Sequence, residues 1–186
     1  DYIETLNAWK RNTGKEKPKL IIINSSGGGS RSALWTFTVL QQSNKLLGAE
    51  FEKQLHLFTG ASGGMIGAAY FRQLIVEKSD GRIAHLNDVS YRKNISKDLL
   101  NRLTFMASTN DLFIRYQNFK YKKHSYLMDR GYAFEQQLIE NTGDVLNHSL
   151  SYYYNYEKSG KVPTMIFTPT IVNDGRRLFV SSQRMN

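Results

Sequence analysis

The chain reads as an α/β protein, a three-layer α/β/α sandwich with a mostly parallel central sheet. Three observations predict this. An apolar run, Lys19-Leu20-Ile21-Ile22-Ile23, enters a glycine cluster at 27–29 and leaves as a helical stretch from Arg31 to Leu47. The same succession recurs at Leu55-His56-Leu57-Phe58-Thr59, followed by Gly60 to Gly64 and a helical stretch from Gly63 to Val76. After a helical middle section, strand-like runs return at 165–172 and 177–181. Strands separated by helices pair in parallel and place those helices on the faces of the sheet.

The remaining elements follow from spacing. Tyr2 to Asn12 has helical periodicity, with Ile3, Leu6 and Trp9 on or near one face. Residues 78–90, rich in Ser, Asp, Gly and Asn, are expected as a loop. Ile95 to Ala107 is expected as one helix, because Ile95, Leu99, Leu103 and Met106 recur at intervals of four, four and three. Asp129 to Glu140 and Asp144 to Tyr156 are expected as two more helices, split by Asn141-Thr142-Gly143. The second carries Tyr152, Tyr153, Tyr154 and Tyr156, read as packing residues.

At 186 residues and 40% hydrophobic, the chain is long enough to bury a substantial core, and residues 1–186 are expected as a single domain. Cysteine is absent, which excludes a disulfide framework and thiol chemistry. Neither a signal peptide nor an apolar run near the roughly 18 residues of a membrane span is visible. The expectation is a soluble or membrane-peripheral piece, its location open.

The formal charge is +9, and much of the excess lies among aromatics in 113–126, which contains Arg115, Lys120, Lys122, Lys123 and four aromatic residues after Phe113. Three readings stand beside one another. The segment is a solvated loop with packed aromatics, a contact surface for anionic membrane, or a site for single-stranded nucleic acid. No nucleic-acid motif accompanies the charge, so lipid is the preferred functional reading.

The chemistry is carried by the two glycine loops. Gly60-Ala61-Ser62-Gly63-Gly64 is a Gly-x-Ser-x-Gly between a strand and a helix, the setting of a nucleophile elbow, in which a sharp turn projects the serine hydroxyl. Ser26-Gly27-Gly28-Gly29-Ser30-Arg31 leaves bare backbone N–H groups free to converge on an anion, with Arg31 placed to pin the loop or add positive charge. The first loop suits a nucleophile and the second an oxyanion hole.

With both loops in view, residues 18–182 resemble the patatin-like phospholipase family, whose members carry a Gly-Gly-Gly-x-Arg oxyanion loop after one strand and a Gly-x-Ser-x-Gly elbow after the next. Residues 27–31 and 60–64 match both motifs, and Ser32 stands where members usually have a further Gly. The resemblance implies Ser62 as nucleophile, with Gly27, Gly28, Gly29 and Arg31 forming the oxyanion loop and the Gly63 amide close by. It also implies a Ser-Asp dyad whose aspartate stands in Asp-Gly-Gly or Asp-Gly-Ala, a tripeptide this chain lacks. Asp174, in Asn173-Asp174-Gly175-Arg176, is the remaining candidate, but Asp-Gly between two strand-like runs is a favoured hairpin turn. The dyad aspartate is therefore expected beyond Asn186, with the chain truncated at its C-terminal end.

Rival chemistries fit less well. His56, His85, His124 and His148 do not fall in a late loop after an acid, as a Ser-acid-His order demands. No His-Glu-x-x-His and no spaced carboxylate cluster suggests a metal, no cofactor is implied, and Ser26 to Ser30 lacks the Lys of a phosphate-binding Walker loop. The expected activity is serine-dependent hydrolysis of a lipid or other acyl ester. Acyl transfer on the same elbow, or a catalytically silent lipid-binding or regulatory module, are the alternatives.

Overall fold

The computed structural model describes residues 2–112 and 117–184. It is a mixed α/β protein built on a four-stranded sheet. The elements in chain order are α1 (Tyr2–Thr13), β1 (Ile21–Ser25), α2 (Gly29–Leu47), α3 (Ala49–Gln54), β2 (Leu55–Gly60), α4 (Ser62–Ser79), α5 (Val89–Ile95), α6 (Leu100–Met106), β3 (Asn118–Tyr121), β4 (His124–Leu127), α7 (Arg130–Asn141), α8 (Tyr154–Lys158), β5 (Thr164–Phe167) and β6 (Val180–Ser181). The sheet order is β1-β2-β5-β6, with β1, β2 and β5 parallel and β6 antiparallel to β5. β3 and β4 pair separately as a hairpin.

α4 is the central helix. Its residues from Phe71 to Glu77 are all buried, as are Met65, Ala68 and Tyr70. A helix apolar nearly all round belongs in a core. Phe37 on α2 stacks on Tyr70 at 5.1 Å, and Phe71 meets Phe37 and Phe51 edge-on at 6.1 and 6.5 Å. Phe58 from β2 and Met165 from β5 close this core from the sheet side.

Glycine sets how closely α2 and α4 approach. A Cβ on Gly67 would lie 2.2 Å from the Ala33 carbonyl oxygen, and one on Gly63 only 1.9 Å from the Gly29 carbonyl oxygen. Gly67→Ala is therefore expected to force the helices apart and to destabilise the protein by about 2 kcal/mol, read by thermal unfolding. An unchanged melting temperature would mean that α2 and α4 do not cross this closely.

A buried polar chain ties α4 to the end of the chain. The Arg72 guanidinium pairs with the Glu157 carboxylate, both fully buried, and lies 3.8 Å over the Tyr153 ring. Glu157 also accepts from the Ser182 hydroxyl at 2.5 Å and the Met165 N–H at 3.3 Å. The Tyr153 hydroxyl donates to Gln73 Oε1 at 2.7 Å, and Gln73 donates to Glu77 at 2.6 Å. Glu77 then pairs with Arg82.

α1 is held through His56. In the β1–β2 ladder Ile21 opposes Leu55 and Ile22 opposes Leu57, so His56 is an extra residue without a β1 partner. Its buried ring lies 5.0 Å from Trp9, and its Nε2 is 2.8 Å from the Tyr2 hydroxyl. Burial depresses the His56 pKa, so the folded state disfavours the imidazolium. The depressed value makes this contribution fully present above the unfolded pKa near 6.5 and lost as pH falls through the lower folded value. Chemical denaturation at pH 7.5, 6.5 and 5.5 should show stability declining with acid, and His56→Gln should flatten that decline. An identical pH slope in the variant would exclude His56 as its source.

Several sequence expectations need correction. The helix expected over 95–107 is two: Ile95 ends α5, and Asp98 starts α6 by accepting from the N–H groups of Leu100 at 3.0 Å and Asn101 at 3.1 Å. A side chain that caps backbone amides competes with helix continuation, which spacing alone does not reveal. The helix expected over 144–156 is confined to α8, preceded by a 3₁₀ turn at Leu150–Tyr153. Gly143 and Asp144 both stand at positive φ, 70° and 62°, and Asn147-His148-Ser149 favours turns over helix. Tyr153 is buried and Tyr152 and Tyr156 half-buried, but Tyr154 is exposed. The strand expected to Val172 ends at Phe167, and that from 177 is ordered as strand only at 180–181. The expected basic loop forms the β3–β4 hairpin, which also holds His124, while 113–116 lie outside the described residues.

Candidate active site

Ser62 opens α4 at φ 57°, directly after Ala61 in extended conformation at φ −143°. The left-handed region costs a residue with a Cβ about 1–2 kcal/mol, so packing must hold the turn. The chain reverses sharply between β2 and α4, and Ser62 is exposed while Gly60, Gly63 and Gly64 beneath it are buried. This is the strand-turn-helix geometry that lifts a hydroxyl off the end of a sheet.

The glycine loop lies against that hydroxyl. A Cβ on Gly27 would stand 3.2 Å from the Ser62 Cβ and 3.4 Å from its Oγ. Gly28, at φ 143°, adopts a backbone conformation that side chains rarely allow. α2 begins at Gly29, so its first N–H groups lack intrahelical partners. The close pass of Gly29 over Gly63 sets the N-terminus of α2 beside that of α4. Both ends carry the positive pole of a helix dipole, so a developing negative charge near Ser62 Oγ is favoured there.

Ser32, one turn into α2, braces the loop. Its Oγ donates to the Ser26 carbonyl at 2.8 Å and would lie 3.2 Å from a Cβ on Gly64. Arg31 is exposed on the first turn of α2 and makes no hydrogen bond or ion pair among the described residues. Gly67 lies outside both motifs, and the four-residue step from Gly63 to Gly67, one face of a helix, is its signal in the sequence.

A groove of about 250 Å³ starts beside the loop, where Ser26 and Ser32 form its polar end. Ile23, Trp35, Val39 and Leu40 supply its apolar length.

Asp174 lies in a tight turn with its own hydrogen bonds. Ile171 N–H donates to the Arg176 carbonyl and Gly175 N–H to the Ile171 carbonyl, both at 2.8 Å, and Thr170 bridges Arg177 antiparallel. The Asp174 carboxylate accepts from Arg176 N at 3.0 Å and Nε at 2.8 Å, and these bonds hold its pKa below the usual carboxylate range. Among the described residues no hydrogen bond joins it, or any histidine, to Ser62. No cluster of three or more His, Cys, Asp or Glu placed for a metal ion occurs among them, and no helix is long and apolar enough to cross a membrane.

Comparison with known protein families, with curated proteins and with solved structures finds no match to this chain. The site must therefore be read from its own geometry.

Proposed function

We propose that this chain is a patatin-like serine acyl hydrolase, with a three-layer α/β/α sandwich, acting on a lipid or other acyl ester. The observation that carries the reading is Ser62 held at positive φ against the Gly27–Gly29 loop, where two helix N-termini meet. In this reading Ser62 Oγ attacks the ester carbonyl, and the amides of Gly28, Gly29 and Gly63 receive the oxyanion, each such donor contributing about 3 kcal/mol to the transition state. Arg31 adds positive charge at the mouth. The groove lined by Trp35 and Val39 takes the acyl chain, and water releases the acyl group from Ser62.

The reading requires an aspartate brought to Ser62 from a part of the protein other than the 171–176 turn. A second reading, a lipid-binding module without turnover, is favoured by one observation: Ser62 has no proton acceptor bonded to it among the described residues. Labelling with a fluorophosphonate separates the two. Mapping of the adduct to Ser62 supports the hydrolase, and absence of any adduct supports the silent module.

Asp174→Asn tests the turn assignment. Asn suits this turn as well as Asp does, so the variant is expected to keep most of its activity on p-nitrophenyl esters. A fall of several orders of magnitude would make Asp174 the base, since Asn cannot take the serine proton.

A further inference from the structure

The β3–β4 hairpin is the strongest feature that the Ser62 chemistry leaves unused. Residues 112–128 contain no Asp or Glu. Direct pairing puts Phe119 opposite Tyr126 and Tyr121 opposite His124 on one face, and Lys120 opposite Ser125 and Asn118 opposite Leu127 on the other. Phe119 stacks on Tyr132 of α7 at 4.1 Å, which holds its end of the aromatic face against the body and leaves the 122–123 tip projecting. Lys122, at φ 55°, and Lys123 form the tip, with Lys122 Nζ 5.4 Å from the Tyr121 ring centroid. Around these cations stand exposed apolar groups: Tyr121 at 54%, Tyr126 at 46% and Leu127 at 48% exposure.

The first two acids that follow the hairpin are engaged or line its underside. The Asp129 carboxylate caps α7 through the Tyr132 N–H at 2.9 Å, and Glu135 lines the cavity beneath the hairpin. That cavity's far wall includes Tyr152, whose hydroxyl lies 3.5 Å from Arg82 just past the C-terminal end of α4. Ser62 opens the same helix, roughly 25 Å away along its axis. The hairpin surface is thus separate from the Ser62 site.

We propose that the β3–β4 hairpin is a docking surface for an anionic lipid bilayer. Lys120, Lys122 and Lys123 meet the headgroup charge, while Tyr121 at the tip and Leu127 on the Lys120 face enter the interfacial layer. Juxtaposed cations are attracted by anionic leaflets, and amphipathic Tyr settles at headgroup depth. The lysines' long stems let their charges stay wet while the strands approach the surface.

The test is sedimentation with vesicles of phosphatidylcholine containing 30% phosphatidylglycerol, about three molecules in ten, against phosphatidylcholine alone. Wild type is expected to bind the anionic vesicles at least ~10-fold more tightly, with affinity falling as salt rises. Lys120→Glu/Lys122→Glu/Lys123→Glu should lose at least ~10-fold, and Tyr121→Ser/Leu127→Ser a few-fold at all salt concentrations. Circular dichroism checks that both remain folded. Ser62→Ala should bind vesicles as wild type does, so failure here and failure of the hydrolase reading are distinguishable. Equal binding to both vesicle types, or undiminished binding by the lysine variant, overturns the proposal. So does tighter, lysine-dependent binding of a single-stranded oligothymidine than of anionic vesicles, which would assign the surface to nucleic acid.

Discussion

Ser62→Ala is expected to reduce ester hydrolysis by about three orders of magnitude or more while leaving the protein folded. The size follows from the proposed role: if Ser62 is the nucleophile, its loss leaves the loop amides and the groove to bind the ester but no acyl bond to the protein can form. The backbone adds a second, separable expectation. Ser62 sits at φ 57°, a conformation that a Cβ makes costly and glycine does not. Ser62→Gly should therefore be as inactive as Ser62→Ala yet more stable by about 1 kcal/mol, seen as a higher melting temperature. Turnover near wild type in either variant would remove Ser62 from the reaction. A Gly variant no more stable than the Ala variant would show that the turn is not held at positive φ.

The second large effect is expected in the core. Glu157→Gln leaves the Arg72 guanidinium buried over Tyr153 without its counter-charge, and Arg72→Met leaves the Glu157 carboxylate with neutral donors such as the Ser182 hydroxyl and the Met165 N–H but no cation. Burial already pushes the Glu157 carboxyl up against the pull of Arg72, which marks how dry the position is. Removing one member of such a pair costs about 3–5 kcal/mol, a large part of a domain's total stability. The doubly substituted Arg72→Met/Glu157→Met should recover much of the loss, because no buried charge remains. Denaturant unfolding of the three variants measures this. Single variants within about 1 kcal/mol of wild type would mean that the pair is reached by water.

The buried pair also explains why part of the fold was hard to read. Arg72 lies mid-helix in an otherwise mostly apolar run, and Glu157 sits among tyrosines and a lysine. Nothing local marks either as buried. Only the tertiary packing that brings Glu157 of α8 to Arg72 of α4 supplies the partner that makes burial tolerable. The same holds for 95–107 and 144–156. In the first, a capping bond from Asp98 outweighed an apolar period; in the second, positive φ at Gly143 and Asp144 outweighed helix-favourable neighbours.

What the sequence determined by itself is the local chemistry: two strand-glycine-helix units, a serine in a tight turn, and an Asp-Gly hairpin at 174–175. These are legible because each depends on backbone sterics within a few residues, which glycine, serine and β-branched runs state directly. Tertiary structure decided the rest. It set Gly27 against Ser62 Oγ, passed Gly29 over Gly63 and made Ser32 rather than Arg31 the brace of the loop. It also turned a basic loop into a hairpin with Phe119 packed on α7. Those relations depend on contacts between segments far apart in the chain, where close packing selects one arrangement among many that local preferences allow.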